Sequence, residues 1–425
     1  MKLRVILVSA VMASVLPVSA GAESLADALR AAFANNPGLA ADSEATTIAM
    51  EGLEQANALR RPQLSVSGGA GFESVDSNRP FSFGIGDRPT ASAQLEARLP
   101  VYAGGGIDAR IRQAEAGIQA ADKQFESARQ NLYLDVVQAY VNVLSDRENV
   151  RIRQSSVYLL SEQVRAANDR FDVGVVTRTD VAQSEARYEG AVAALSAAEA
   201  ALESSEAFYA FLVGSRPGEL EPAPLPEALP QTLESALDLA LQSNPDLNAL
   251  RLSEQVASEN VTSARAQLKP SVSIVGAAGY QETFDENFRD TSVSAMVQAS
   301  IPLYQGGATT SRIREAQSQL QQSRLRTQAL ERQVRAEIAR SWFTVLATDR
   351  SIEASERQVS AAEIAYEGAQ EELAVGVRTT LDVLDQEQQL LEARLGLINA
   401  RRDSYVARHQ LLRAMGRLRV ENLEP

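Results

Sequence analysis

The sequence predicts an α+β membrane chain: four β-strands that cross a bilayer, joined to a helical coiled coil roughly 100 Å long. Three observations carry this. An internal repeat spans the chain, two segments in each copy alternate with period two, and each copy holds a run of about 65 residues with no proline and a single glycine.

Residues 1–22 read as an export leader. Lys2 and Arg4 precede an apolar run from Val5 to Val15, then Pro17 and the small residues Ala20, Gly21 and Ala22. A basic start, a short apolar core and an A-x-A site form a secretory signal. The run is well short of the roughly 20 apolar residues of a spanning helix. Cleavage before Glu23 is expected, so the mature chain leaves the cytoplasm.

The repeat sets the domain organisation. Ser24-Leu25, Ala28-Leu29, Asn36-Pro37 and Leu39 return 208 residues later as Thr232-Leu233, Ala236-Leu237, Asn244-Pro245 and Leu247. Pro62, Ser65, Val66 and Gly68 return at the same shift as Pro270, Ser273, Ile274 and Gly276. Beyond that the shift is 202, matching Leu99-Pro100-Val101-Tyr102 to Ile301-Pro302-Leu303-Tyr304 and Val173-Gly174-Val175 to Val375-Gly376-Val377. The first copy covers residues 23–214 and the second 232–425. Between them, residues 215–231 hold Pro217, Pro222, Pro224, Pro226 and Pro230, a density that stops helices and favours an extended linker.

Strand pairs are expected near 63–73 and 91–100, and near 271–281 and 292–302. Leu64, Val66, Gly68, Ala70 and Phe72 alternate with Gln63, Ser65, Ser67, Gly69, Gly71 and Glu73; Ala93, Leu95, Ala97 and Leu99 oppose Ser92, Gln94, Glu96 and Arg98. The second copy repeats the pattern with Val272, Ile274 and Tyr280, then Val293, Ala295, Val297 and Ile301. Each segment can reach the roughly 9–11 residues of a tilted membrane strand. Phe81, Phe83, Phe284 and Phe288 fall in the loops, where aromatic girdles sit. A soluble hairpin covering helices would alternate in the same way, so periodicity alone leaves both open. If the strands lie in lipid, four cannot close; two copies of the chain would supply eight and three would supply twelve.

Helical hairpins are expected over 106–213 and 307–415. No proline, and only Gly117 among glycines, interrupts Ile107 to Phe171. Val136, Val143, Val150, Val157, Val164 and Phe171 recur every seven residues, as do Ile338, Val345, Ile352, Val359, Tyr366 and Leu373 in the second copy. A strict heptad in one register in both copies argues for coiled-coil packing. Returning helices run from about Asp180 to Val213 and from Asp382 to Met415. Helices near Gly38–Arg60 and Asp246–Gln267 precede each strand pair. Stacked end to end, these can run beside the long helix. Strands then lie at one end and turns at Gly174 and Gly376 at the other.

Composition narrows the function. There is no cysteine, hence no disulfide framework and no lipid on an N-terminal cysteine, and one histidine, His409. His409 lies in a helical stretch among Arg and Leu, where packing explains it. No nucleophile–base constellation, metal cluster or cofactor motif is present, so an enzyme is not expected. The formal charge is −14, near −16 without the leader, which disfavours nucleic acid and anionic lipid. That acidity reflects either solvated helix faces or an acidic lumen or tip.

The repeated L-x-x-A-L…N-P-x-L, the paired strands, P-[VL]-Y-x-G-G and V-G-V-x-T-x-x-D-V, in this order and twice over, resemble the TolC family of outer-membrane efflux and secretion proteins across essentially the whole mature chain. The resemblance implies a trimeric twelve-stranded β-barrel, with four strands per protomer, continued by an α-helical coiled-coil barrel in the periplasm. It also implies an equatorial band built from the linker and the short helices before Asn36-Pro37 and Asn244-Pro245. The implied function is an outer-membrane channel-tunnel of a Gram-negative bacterium. It would carry drugs or type I secreted proteins from an inner-membrane ABC or proton-driven exporter, through a periplasmic adaptor, to the exterior. The runner-up is a periplasmic coiled-coil scaffold or adaptor without a pore, though adaptors normally carry one hairpin rather than two with paired strands.

The segment from Gly376 to Asp385 resembles the family's periplasmic tip and gate. Gly174, Val175, Thr177, Gly376, Val377 and Thr379 form the tip turns, where an adaptor would touch. Asp382 and Asp385 share a helix face, and three chains would place six carboxylates around the opening, each raising the others' pKa. Thr379-x-x-Asp382 and Thr177-x-x-Asp180 also read as capping boxes, which alone can account for Asp382. By resemblance, Arg378 pairs with Asp180 to lock the tip. A second family lock joins a glutamine at Gln163 to a tyrosine at the Leu373 position; with leucine there, that bond cannot form as in the family.

Overall fold

The computed structural model describes residues 22–74, 87–224, 228–284 and 288–418. The leader up to Gly21, loop residues Phe81 and Phe83, and Pro226 lie outside the described residues. In chain order the first copy contains α1 (Leu25–Asn35), α2 (Pro37–Ala58), β1 (Gln63–Ser74), β2 (Asp87–Ala103), α3 (Gly106–Asp172) and α4 (Arg178–Val213). The second repeats the order as α5 (Leu233–Ser243), α6 (Pro245–Ala266), β3 (Ser271–Thr283), β4 (Phe288–Ser300), α7 (Ala308–Ala374) and α8 (Thr380–Ala414).

The Asn-Pro pairs make the joints between short helices. Asn36 closes α1, and its side-chain oxygen accepts from the Leu39 amide at 3.1 Å. Pro37 then takes the first helical position, where an amide has no partner anyway. Asn244 and Pro245 repeat the device, with Leu247 donating at 3.0 Å.

The strands form one antiparallel sheet in the order β1-β2-β3-β4, with β2–β3 joining the two copies. The registers align the apolar parity across all four: Leu64 opposes Ala97, Ala97 opposes Gly276, and Gly276 opposes Ala295. That face is bare in the protomer, with Val66 76% and Val293 82% exposed. The opposite face carries serine, glutamine and Arg98, which donates to Gln298 at 3.2 Å. The strands depart from expectation at their ends. β2 continues past residue 100 to Ala103 because the ladder shifts between Pro100 and Tyr102, and such a bulge tolerates a residue with no amide to donate. β4 stops at Ser300, so Ile301 lies beyond it, and Phe288 opens β4 instead of sitting in the loop. Phe284 remains in the turn and is exposed.

Helices α3 and α7 each contain 67 residues, about 100 Å at 1.5 Å per residue. The heptad seam closes unevenly. Val136, Val143, Val150, Ile338 and Val345 are buried, whereas Val157, Val164, Ile352, Val359, Tyr366 and Leu373 are half-buried, and Phe171 is exposed. Within one protomer the seam is therefore less covered away from the sheet. α3 packs along α4 and α2, and α7 along α8 and α6, as end-to-end stacking requires. In addition α6 lies along α3, crossing from one copy to the other.

The main core is a belt at mid-length, where α1 and α5 lie against the long helices. Its centre includes Leu29, Val136, Val137, Tyr140, Tyr209, Ile338, Leu411 and Met415, all fully buried. The linker is tied to the chain's start there. Glu23 bridges to Leu220 in parallel, its amide donating to the Glu219 carbonyl at 2.6 Å. The Tyr140 hydroxyl lies 2.9 Å from the Glu23 carbonyl and 2.7 Å from that of Glu221, and Tyr209 donates to the Glu23 carboxylate at 2.7 Å. Burial pushes the Tyr140 hydroxyl up to about 12, so it stays a donor at any physiological pH. Ser127 and Arg413 meet Asp246 at 2.5 and 3.0 Å, tying α3, α8 and α6 together.

The chain turns from β2 into α3 through Gly104, at φ +63°, and Gly105, at φ +86°. A Cβ at Gly104 would stand 2.7 Å from the Ala266 carbonyl oxygen and 2.8 Å from the Lys269 Cβ, whereas one at Gly105 meets nothing. Gly105→Ala should therefore cost only the left-handed backbone, about 1 kcal/mol, and Gly104→Ala about 2 kcal/mol or more, because backbone must also move. Thermal unfolding of the two variants in detergent checks the order; equal midpoints would remove the close-approach argument.

Candidate functional site

The candidate site is the end of the two hairpins furthest from the sheet, where α3 turns into α4 and α7 into α8. The two turns share one chemistry. Gly174 and Gly376 both adopt φ +79°, which lets the helix end wrap back on itself. Val175 then donates to the Arg170 carbonyl at 2.8 Å and Val377 to that of Glu372 at 2.9 Å. Thr177 and Thr379 start the next helices, each accepting at 3.3 Å from the amide of Asp180 and Asp382 respectively. The carboxylates reach back: Asp180 accepts from the Thr177 amide and hydroxyl at 2.8 Å, and Asp382 from those of Thr379 at 2.9 and 2.7 Å. Both capping boxes are complete.

These bonds set the charge of the tip. Hydrogen bonds from Thr177 hold the Asp180 carboxyl below its ordinary range, and those from Thr379 do the same for Asp382, with a smaller contribution from Arg378. Within one protomer Asp382 is thus a committed anion, opposite to the upward shift expected of crowded carboxylates. Asp385 accepts from Arg187 of α4 at 2.7 Å, a bridge between the two hairpins. Arg378 pairs with Glu372 on its own hairpin, and not with Asp180 in the same protomer. Gln163 and Leu373 are half-buried, and Gln163 makes no side-chain hydrogen bond among the described residues. Around the turns Val173, Val175, Val375 and Val377 are 72–75% exposed, four apolar side chains at an extremity with nothing packed on them. No cluster of metal-ligating side chains occurs among the described residues.

One group near the tip was not anticipated. Glu387 on α8 is only 6% exposed, and accepts from Ser156 of α3 at 3.2 Å while its second oxygen has no partner. Burial pushes its carboxyl up to about 7, against the opposing pull of Ser156 and Arg187. The signal was legible: Val383, Leu384 and Leu390 form a buried stripe, and position 387 lies at i+4, i+3 and i−3 from them. His409, also buried, stacks between Tyr405 and Tyr133 with centroids 4.5 and 6.3 Å away, and burial lowers its pKa. It is a packing residue.

A carboxyl raised by folding favours the folded state fully below its ordinary value of 4.5 and loses that contribution as pH climbs through about 7. Glu387→Gln should remove this dependence. At pH 8 the variant should be more stable than the parent by roughly 2 kcal/mol, with the two converging near pH 5. Thermal unfolding across that range is the check, and a variant that is no more stable at pH 8 would refute the assignment.

Comparison with known proteins gives consistent findings. The family model described as outer membrane efflux protein matches residues 28–215 and 236–417. The outer membrane efflux protein BepC of Brucella suis is 32% identical over 403 residues, covering 94% of this chain and 87% of that protein. The outer membrane protein TolC of Vibrio cholerae is 27% identical over 412 residues, covering 95% and 92%. Among solved structures, the outer membrane protein VceC of Vibrio cholerae aligns with a TM-score of 0.78 at 22% identity, covering 92% of this chain and 96% of that one. The last comparison speaks to fold alone.

Proposed function

The chain belongs to the outer membrane efflux protein family of TolC-type channels, and from that premise we propose that three copies close into a single export duct. It resides in the outer membrane of a Gram-negative bacterium and serves efflux or type I secretion. The observation that carries the proposal is the pair of sheet edges. β1 and β4 each pair on one side only, and the sheet's apolar face is uncovered. In hydrocarbon an open edge leaves backbone groups unpaired at several kcal/mol each, so the sheet must close on further copies.

The repeat supplies the closing contact. β2 and β3 already pair across the boundary between copies, and β4 and β1 are their repeat equivalents. Transferring the Leu95–Ala278 register by 202 and 208 residues pairs Val297 of one protomer with Ala70 of the next. A head-to-tail contact of this kind generates a ring when the rotation closes. The helices support the same geometry. α3 packs along both α2 and α6, whereas of these two α7 packs along α6, and a neighbour's α2 would fit the remaining flank. A pore-less scaffold leaves the bare apolar face and both edges without a role.

At the tip, the four exposed valines would meet a periplasmic adaptor, whose inner-membrane ABC or proton-driven partner supplies the energy. Asp382 and Asp385 of three protomers would ring the opening as a cation-attracting gate. Arg378, having no intramolecular bond to Asp180, would make that lock across protomers by leaving Glu372. The Gln163 lock is absent because Leu373 offers no partner.

Two measurements test this reading. The chain has no cysteine, so Ala70→Cys with Val297→Cys introduces one defined pair per boundary. Mild oxidation should give covalent species up to the trimer on a non-reducing gel; no cross-link, or a ladder continuing past three, rejects closure by three. In planar bilayers Arg378→Ser should raise conductance, and Asp382→Asn with Asp385→Asn should reduce cation selectivity. Unchanged values would remove those residues from the gate.

A further inference from the structure

Where the sheet meets the helices, an open cavity of about 520 Å³ is lined by Arg110, Lys269 and Arg312 and by no carboxylate. This is unusual for a chain with a formal charge of −14. Cations nearby have acids at hand: Arg60 pairs with Asp108, and Arg112 with Glu259 at 2.8 Å. The side chains of Arg110 and Lys269 have no hydrogen-bond or ion-pair partner among the described residues, and that of Arg312 donates only to the neutral Gln267, at 3.3 Å. Three cations converge on one space with their charge unmet.

Sheet parity says which side the space faces. Gln63, Pro100, Ser271 and Ser300 line it, and all belong to the polar face of the sheet. Gln63 opposes Arg98, and Ser271 opposes Ser300, whereas the apolar residues Leu64, Val272 and Ala299 are each one position away. If the apolar face meets lipid, the cavity opens onto the water inside the barrel and not onto lipid headgroups. This step rests on the closed duct proposed above. The amino-terminal residues Gly106 and Ile107 of α3 also line the space, and that helix has no side-chain cap, which adds to its positive character.

We infer that this cavity binds anionic groups of the phosphate or carboxylate class inside the duct, as a basic collar repeated in each protomer. A single exposed ion pair in water is weak, so a monovalent anion gains little. Several cations at one level favour a multivalent one, and guanidinium forks with an ammonium suit phosphate oxygens. Anionic cargo would meet an acidic tip and then a basic foot of the barrel.

The test uses the full-length oligomer in planar bilayers of phosphatidylcholine, with inositol hexakisphosphate added on the extracellular side, so that the probe reaches the collar without crossing the tip. Wild type should be blocked, and the block should weaken as salt is raised. Arg110→Ser with Lys269→Ser and Arg312→Ser should weaken the apparent affinity by about ten-fold or more while current without probe persists. Lys269→Gln alone should weaken it a few-fold, which keeps the test open if the triple variant fails to assemble. An unblocked wild-type channel, or equal block in the variants, overturns the site. So does a channel indifferent to the soluble probe whose conductance responds to anionic lipid through the same residues, since that places the ligand outside. Absence of any current would instead strike at the duct itself.

Discussion

Hydrocarbon offers no hydrogen-bond partners, and the architecture answers to that constraint. A four-stranded sheet satisfies its backbone everywhere except along β1 and β4, and an unsatisfied edge costs far more in lipid than in water. The apolar parity that runs through all four strands commits one face to that medium. The protomer is thereby incomplete as a folded object, and assembly becomes part of its folding.

Duplication makes the assembly simple. Because the second copy repeats the first, the contact that joins copies within a chain would serve as the template for the proposed contact between chains. The same economy shapes the helices. α6 reaches across to α3, so the wall of the tube is continuous where one copy gives way to the next. The belt of Tyr140, Tyr209, Glu23 and the linker fastens this wall at mid-length, where the buried core is densest.

Much of this was legible before any coordinates. The period-two segments became strands, the heptads became α3 and α7, the Asn-Pro pairs became helix joints, and the threonine–aspartate pairs became capping boxes, because each leaves a periodic or local signature in the sequence. What stayed hidden depends on distant backbone or on which neighbour a side chain meets. The Pro100–Tyr102 bulge lengthens β2 through its pairing with β3. Glu23 is held by carbonyl and hydroxyl groups far along the chain that no pattern announces. Glu387 interrupts an apolar stripe in plain sight, yet its carboxyl is raised by a burial that only the packing around it creates, against the opposing pull of Ser156 from α3. At the tip, the bond expected between Arg378 and Asp180 is not made within a chain, since a nearer carboxylate, Glu372, takes the guanidinium.

The doubly capped turns at Thr177 and Thr379 have a mechanical consequence. Each is pinned by reciprocal hydrogen bonds and a wrapped helix end, which disfavours bending at the knuckle itself. Between the belt and the knuckle the seam is only half-covered within a protomer, so each arm is held chiefly at its root. From Val143 to Phe171 the span is about 40 Å, so a pivot of a few degrees at the belt would swing the extremity by about 2–4 Å. In the duct proposed above, the arms would turn about their root, and the chemistry at the extremity would latch that swing.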